Sequence, residues 1–185
     1  MRIISGKFKN KKIFQPLDSL TRPLKDITKE SIFNVMLHSK FIKTKIENSK
    51  VLDLFSGSGS FGLECISRGA SEVIFCENYK PAIKILEKNI NNLGCLVSTK
   101  IIEEDSFNFI KKKIDNKFNI IFLDPPFKEK KINELLINLN KSELLDKKGI
   151  VILHRNKKSK DNFSENTKIL IKKSYGLSQI FFIEF

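Results

Sequence analysis

The chain has 185 residues, of which 41% are apolar, and its formal net charge is +13 with an isoelectric point near 9.6. These values suit one folded domain and argue against a disordered chain, and no apolar run approaches the ~18 residues of a membrane span. The positive charge favours a nucleic-acid partner. Most of it is lysine, however, in a chain also rich in isoleucine, asparagine and phenylalanine, so biased composition is an alternative explanation.

The cysteines and histidines predict neither a metal site nor a disulfide. Cys65, Cys76 and Cys95 lack the paired spacing of metal ligands, and we expect reduced, mostly buried thiols of a cytoplasmic protein. His38 and His154 are isolated, and we expect structural roles for both. These residues therefore predict no metal site. The lack of a long apolar run predicts no membrane attachment.

Residues 1–20 differ from the rest of the chain and predict a small basic β-hairpin arm. Strand-like segments 2–4 and 12–14 flank a turn-like, lysine-rich segment. We expect residues 21–185 to form the main domain.

From residue 21 onward, strands and helices alternate. Helices are predicted from 21–23 to about 37 and over 61–68, 81–93, 105–113 and 132–145. Strands are predicted over 51–55, 72–76, 100–103, 118–123, 149–153, 167–172 and 178–185, with a polar loop over 155–165. This order predicts an α/β fold with a doubly wound, mostly parallel seven-stranded sheet that ends in an antiparallel pair.

Asp124-Pro125-Pro126-Phe127 directly follows an apolar strand. Two successive prolines end the strand and stiffen the turn, so a carboxylate and an aromatic ring are held together at its carboxyl end. Ligands of open α/β sheets bind at that end. A planar base with an exocyclic amine fits such a group, although a plain strand-ending turn is the simpler alternative.

A second candidate site is the glycine-rich turn after the first strand of the main domain, Ser56-Gly57-Ser58-Gly59-Ser60-Phe61-Gly62. Glu77 ends the next strand, where an acid can accept both hydroxyls of a ribose. The turn also fits the GxGxxG pattern of dinucleotide sites. Asp53, Glu77 and Asp105 would repel a pyrophosphate, however, and they suit a cationic ligand such as S-adenosylmethionine better. Each acid could instead be a helix cap or a solvated carboxylate.

These motifs resemble those of class I S-adenosylmethionine-dependent amino-methyltransferases, which have a Rossmann-like fold. Segments 2–6, 22–23, 33–34, 54–59, 62–64, 67–70 and 124–127, with Glu30, together look like the bacterial methyltransferases that modify a guanine N2 amine in 16S ribosomal RNA. The resemblance covers essentially the whole chain. Ser5, Leu24 and Lys29 depart from the pattern usual in that family, where glycine, threonine and arginine stand.

The resemblance implies S-adenosylmethionine as cofactor and 16S rRNA, in the small ribosomal subunit or an assembly intermediate of it, as partner of a monomeric enzyme. The implied catalytic residues are Asp124, Pro125, Pro126 and Phe127. The implied cofactor contacts are Asp53, Phe55, Ser56, Gly57, Gly59, Glu77, Asn78, Asp105 and Ser106. We expect Arg2, Lys7, Lys9, Lys11, Lys12 and Arg22 to contact RNA, with a merely solvated hairpin as the alternative.

Other functions remain open at this level. Methyltransferases acting on a DNA adenine or cytosine, or on a protein glutamine, carry a related proline motif that often begins with asparagine. A non-catalytic RNA-binding module with the same fold is a third possibility, although Asp124 and the glycine turn argue against it.

Overall fold

The computed structural model describes residues 1–18 and 23–185. The helices are α1 (Asp26–His38), α2 (Ser60–Ser67), α3 (Lys80–Leu93), α4 (Ser106–Phe109) and α5 (Ile132–Lys141), with a short 3-10 helix at Leu96–Ser98. The strands are β1 (Lys50–Leu54), β2 (Glu72–Glu77), β3 (Thr99–Glu103), β4 (Phe118–Leu123), β5 (Leu145–Asn156), β6 (Lys168–Tyr175) and β7 (Ser178–Glu184).

The seven strands form one sheet in the order β3-β2-β1-β4-β5-β7-β6. The first five run parallel, whereas β7 pairs antiparallel with both β5 and β6. The predicted mostly parallel sheet with an antiparallel carboxyl-terminal pair is therefore confirmed. The order reverses between β1 and β4, where an open α/β sheet leaves a crevice for a ligand.

Each face of the sheet has its own apolar core, as expected of a doubly wound fold. Ile120 and Phe122 of β4 belong to one core cluster, while Ile121 and Leu123 belong to the other. Successive side chains of a strand point to opposite faces, so an unbroken apolar run fills both cores. On the first face, the ring of Phe61 stacks on Phe122 with centroids 4.0 Å apart.

The amino-terminal hairpin is part of the first core. A single antiparallel bridge, Arg2 to Lys12, replaces the two predicted strands. Ile3 and Ile13 are fully buried in the same cluster as Phe61. The hairpin therefore packs as a layer on the main fold, and the division of the chain at residue 20 stays a prediction.

A buried ion-pair network attaches this hairpin to α1 and α2. The Glu64 carboxylate, fully buried in α2, accepts the backbone N–H groups of Ile4 and Ser5 at 2.7 and 3.0 Å. Lys29 of α1, also fully buried, lies 3.6 Å from Glu64 and donates to the carbonyl oxygen of Arg2 at 2.7 Å. Burial lowers the pKa of Lys29, while the Glu64 charge opposes that shift. The lysine that departs from the family pattern thus occupies a specific structural site.

Several predicted boundaries were wrong. Helix α1 begins at Asp26, since the preceding Lys25 has the non-helical backbone angles φ −55° and ψ 142°, and Leu24 before it is buried in the core. Helix α4 ends at Phe109 and α5 at Lys141, each earlier than predicted. Strand β5 is longer at both ends, and Arg155, predicted to begin a loop, is a buried residue of that strand.

The three cysteines are free and buried, as predicted. Within residues 1–18 and 23–185, no helix combines the length and apolarity of a membrane span. The same residues contain no cluster of three or more side chains able to hold a metal ion.

Candidate active site

The carboxyl ends of β1 and β4 bring the two candidate motifs together. The strands are parallel neighbours with Leu54 opposite Leu123, so the glycine turn and the proline tetrapeptide begin side by side. The backbone N–H of Asp124 lies 3.5 Å from the carbonyl oxygen of Leu54. A pocket of about 360 Å³ opens between the two loops, and residues of both line it.

Close packing explains the glycines in the turn. Gly59 precedes α2 with φ 79°, and a Cβ there would lie 2.3 Å from Cδ1 of Leu86. A Cβ on Gly62 would lie 2.4 Å from Cε1 of Phe75. The turn is therefore pressed against β2 and α3 with no room for a side chain.

Phe55 adopts the same left-handed backbone region without being a glycine, with φ 58°. Its N–H donates to Oγ of Ser106 at 3.3 Å, and its ring meets Phe107 edge-on. Unfavourable backbone angles of this kind cluster at functional sites, where the surroundings hold them in place. Phe55 and Ser56 both line the pocket.

Glu77, at the end of β2, holds the rim of the pocket. One carboxylate oxygen accepts the N–H of Gly57 at 2.7 Å, and the other accepts those of Asn78 and Tyr79 at 2.9 Å each. A carboxylate has about four acceptor sites, so these three bonds leave room for a ligand hydroxyl. Glu77 therefore orders the loop and still presents negative charge to the pocket.

Asp53 supplies a second, deeper negative group. Its side chain lines the pocket although the residue is only 1% exposed, and it accepts the N–H of Gly62 at 2.9 Å. Burial raises the pKa of Asp53 well above its ordinary range, the hydrogen bond from Gly62 opposes this, and the charges of Asp124 and Glu77 add to it. A cation bound in the pocket would lower the pKa of Asp53 again, because a nearby positive charge favours the ionised carboxylate.

Ser56 provides an independent indication of a polar ligand. Its hydroxyl is buried, lines the pocket and has no hydrogen-bond partner among the residues the structure describes. Buried polar groups are rarely left unpaired, because losing water without a replacement costs about 1–3 kcal/mol. The hydroxyl is thus available to a bound molecule.

Three of the implied cofactor residues, Gly59, Asp105 and Ser106, lie outside the pocket lining. Asp105 caps α4, where its carboxylate accepts the N–H groups of Phe107 and Asn108 at 3.0 and 3.2 Å. Ser106 lies behind the pocket wall and accepts the N–H of Phe55. The helix-cap alternative therefore describes Asp105 in this structure, and a contact from any of these three residues to a cofactor stays a prediction.

All four residues of the proline tetrapeptide line the pocket, and Arg155 holds the segment that follows them. The buried guanidinium of Arg155 donates to the carbonyl oxygens of Pro126 and Glu129 at 3.0 and 2.8 Å. It also forms a two-point ion pair with Asp161, at 2.8 and 2.9 Å. A rigid strand thus fixes the loop after the motif.

His154, the residue before this arginine, contacts the other side of the motif. Its Nδ1 lies 2.8 Å from Oδ1 of Asp124, and its ring meets Phe127 edge-on. No local pattern indicates this partner of Asp124, because the two residues are 30 positions apart and meet only through the pairing of β4 with β5.

The basic residues of the hairpin are all exposed: Arg2, Lys7, Lys9, Lys11 and Lys12. Arg22 lies outside the described residues. The hairpin reaches the pocket through Gln15, whose amide donates to Oγ of Ser58 at 2.8 Å, and Ser58 lines the pocket. Lys88 extends the basic surface, with its ammonium 4.2 Å from the ring centre of Phe14.

Sequence reasoning missed several pocket residues. Among them are Pro23, Leu24, Ser58, Ser60, Tyr79, Ala82 and Phe122. Tyr79 follows Glu77 and Asn78 directly, so its position at a strand end was a usable signal. Pro23 and Leu24 carried no such signal, since their approach depends on how α1 packs on the sheet.

The sheet order, the reversal between β1 and β4 and the pocket at that point are those of the class I methyltransferase fold. A solved structure described as the putative methyltransferase yhhF from Escherichia coli has this fold, with a TM-score of 0.84, 24% identity, and coverage of 99% of this chain and 96% of that one. The chain belongs to the family described as conserved hypothetical protein 95, whose model matches residues 1–184.

Two curated relatives are similar over most of their length. The putative rRNA methyltransferase YlbH of Bacillus subtilis is 30% identical over 183 residues, covering 97% of this chain and 96% of the relative. The ribosomal RNA small subunit methyltransferase D of Buchnera aphidicola is 32% identical over 172 residues, covering 92% and 86%. These matches confirm the family resemblance that the motifs predicted.

Proposed function

We propose that this protein transfers a methyl group from S-adenosylmethionine to the N2 amine of a guanine in small-subunit ribosomal RNA. The observation that carries the proposal is the shared pocket, in which Asp124 and the glycine turn lie at adjacent strand ends. The names of the two relatives support rRNA as the substrate class. The choice of the guanine N2 amine rests on the family resemblance and on the acceptor groups of the tetrapeptide.

The pocket suits S-adenosylmethionine in its chemistry. The cofactor brings a methyl group on a positively charged sulfonium, together with an ammonium group, a ribose diol and an adenine amine. Asp53 and Glu77 offer negative charge and acceptors, and the unpaired hydroxyl of Ser56 offers a further hydrogen bond. The pocket-lining residues Phe55, Gly57 and Asn78 complete the proposed contacts.

The tetrapeptide would position the amine. The lone pair of a guanine N2 amine is delocalised into the ring, so accepting its N–H bonds makes the nitrogen a better nucleophile. We assign this role to the carboxylate of Asp124 and the carbonyl oxygen of Pro125. The carbonyl of Pro126 is already engaged by Arg155 and by the N–H of Glu129. Phe127 would stack on the base, and correct placement supplies most of the rate.

RNA would approach across the basic hairpin. Exposed lysines contact phosphates and set affinity without reading sequence. A guanine must leave its stack to enter the pocket, which costs a few kcal/mol and least in a loop. We therefore propose the small subunit or its assembly intermediate as partner and, because a single chain forms the pocket, a monomer as the active form.

The buried carboxylate of Asp53 gives a prediction with a definite sign. In Asp53→Asn the amide oxygen still accepts the N–H of Gly62, but the charge is lost. Because the folded pKa is raised, ionised Asp53 destabilises the ligand-free fold. The variant should unfold at a higher temperature than wild type at neutral pH, and this advantage should vanish below about pH 4.

The same variant should bind S-adenosylmethionine at least about 30-fold more weakly, since removing one partner of a buried charge pair costs ~2 kcal/mol or more. Calorimetric titration measures this, with the exposed Asp115→Asn as a matched control. Unchanged affinity in Asp53→Asn would remove Asp53 from the cofactor site.

The hairpin lysines give a second prediction. Deleting the hairpin is a poor test, because Ile3 and Ile13 would leave the core. Replacing the exposed side chains of Lys7, Lys9, Lys11 and Lys12 by glutamine should instead weaken RNA-particle binding and lower its salt dependence by up to about 3 in log–log slope. Cofactor affinity should stay unchanged.

The matched control for these lysines is glutamine at the exposed lysines before β4 and within β5: Lys111, Lys113, Lys147 and Lys148. Filter binding at several salt concentrations compares the two sets. Equal losses in both would mean that overall charge, and not the hairpin, binds the RNA.

The proposed function itself is tested by incubating the protein with methyl-labelled cofactor and, separately, small subunits, naked 16S rRNA, duplex DNA and total protein. Label is expected in small-subunit RNA, and nucleoside analysis should find N2-methylguanosine. Label in DNA or on glutamine would replace this function by one of the alternative amino-methyltransferases. Cofactor binding with no transfer to any of the four would favour a non-catalytic module.

A further inference from the structure

A hydrogen-bonded series of side chains runs from the tetrapeptide into the antiparallel part of the sheet. Nδ1 of His154 lies 2.8 Å from Oδ1 of Asp124, and Nε2 of the same ring lies 2.9 Å from Oγ of Ser178. The hydroxyl of Thr28 in α1 lies 3.5 Å from that serine oxygen. His154 is 2% exposed, so both ring contacts are shielded from water.

The arrangement favours one direction for the hydrogen bonds. A carboxylate only accepts, so the contact with Asp124 requires a proton on Nδ1. Ser178 can donate its hydroxyl to Nε2 and still accept from Thr28, so both ring nitrogens have hydrogen-bond partners. The bond made by one nitrogen of a histidine thus determines the state of the other.

The backbone makes this contact rigid. Leu123 pairs with Leu153, so Asp124 and His154 are the next residues of two parallel neighbours. His154 is itself held from the other side by its pairing with Ile180 of β7. Groups that sit on regular strands are placed more precisely than groups on loops.

Successive side chains of a strand point to opposite faces. At the end of β5, His154 therefore contacts the carboxylate and ring of the tetrapeptide, whereas Arg155 holds the carbonyl oxygens of Pro126 and Glu129 from the opposite face. The first contact concerns the reacting carboxylate and the second concerns the loop backbone.

We propose that His154 is a positioning residue for the transfer step: by donating from Nδ1 to Oδ1, it fixes the rotation of the Asp124 carboxylate so that the group accepts the substrate amine in one orientation. This inference rests on the proposed function. It adds a residue that neither contacts the cofactor pocket nor belongs to the motif, since His154 is not among the pocket-lining residues.

The first test needs no substrate. The chain has two histidines, and His38 is exposed, so nitrogen-15 NMR of histidine-labelled protein yields two readily distinguished rings. We expect His154 to carry a proton on Nδ1 and its resonances to shift in Asp124→Ala, with His38 unchanged. A ring with bare Nδ1 and a protonated Nε2 could not donate to Asp124 and would overturn the inference, whatever reaction the protein catalyses.

The second test uses turnover. His154→Phe fills the space but has no donor, and a misplaced reacting group lowers kcat by roughly 10²-fold. His154→Asn places an amide N–H near the position of Nδ1 and should recover most of that loss. Cofactor affinity should be equal in all three proteins, and KM for the RNA nearly so. Thermal midpoints of both variants separate a folding defect from a positioning defect.

The comparison of the two variants decides the second test. If both retain wild-type kcat, or if asparagine rescues nothing although both variants are folded, His154 does not position Asp124. If wild type itself transfers no methyl group to any RNA, the proposed function fails while the NMR result still stands on its own.

Discussion

Replacing Asp124 by alanine is expected to lower the turnover number for RNA methylation by at least about 10²-fold, the usual cost of removing a positioned polar group from a reaction centre. The variant should still bind S-adenosylmethionine, because the glycine turn, Glu77 and Ser56 are unchanged. Single-turnover methyl transfer and calorimetric cofactor titration measure the two effects separately. The loss should appear in kcat, since the carboxylate acts on the amine during transfer.

Asp115→Ala is a matched control for this variant. Asp115 is exposed and precedes β4, whereas Asp124 follows the same strand, so the two changes are chemically identical but lie at opposite ends of it. The control should keep wild-type turnover. Near-normal turnover in Asp124→Ala would refute the role of its carboxylate in positioning the amine.

Replacing Arg155 by methionine is expected to lower the free energy of unfolding by about 3 kcal/mol, because it leaves the largely shielded Asp161 carboxylate without its partner. The guanidinium and that carboxylate side chain are 2% and 10% exposed. The carbonyl oxygens of Pro126 and Glu129 also lose their donor. Urea denaturation followed by circular dichroism measures the loss.

The double variant Arg155→Met, Asp161→Leu separates the ion pair from the loop contacts. Removing both charges avoids an unpaired buried carboxylate, so the double variant should be more stable than Arg155→Met alone. We also expect slow methyl transfer in both variants, because neither has the arginine that holds the loop after the tetrapeptide. A double variant as unstable as the single one would show that the carbonyl contacts, and not the ion pair, hold the fold.

The strand–helix alternation was predictable because it depends on local pattern. The apolar run of β4 and the glycines around α2 and α3 place those elements within a few residues of their observed bounds. The predicted ends of an element were wrong where pairing with a neighbouring strand determines them. Strand β5 continues through Arg155 because β7 pairs with it as far as Asn156, and no local feature of this lysine-rich segment indicates that.

The hairpin illustrates the same limit. Its charge and turn were visible in the sequence, but its attachment was not, because Glu64 and the N–H groups of Ile4 and Ser5 are about 60 residues apart. Gly6 is explained only in three dimensions, since a Cβ there would lie 1.8 Å from the carbonyl oxygen of Ser67. The sequence around Gly6 does not show that Ser67 lies too close for a side chain.

Local chemistry alone determined that this chain forms a parallel sheet, that a glycine turn and a proline tetrapeptide follow two of its strands, and that acidic residues stand before that turn and at the end of the next strand. Periodicity, proline and glycine act over a few residues, so a single sequence displays them. Only the tertiary structure decided that those two motifs share one pocket and that His154 and Arg155 hold the tetrapeptide from opposite faces. Strand order and register create these contacts, and they join residues that are distant along the chain.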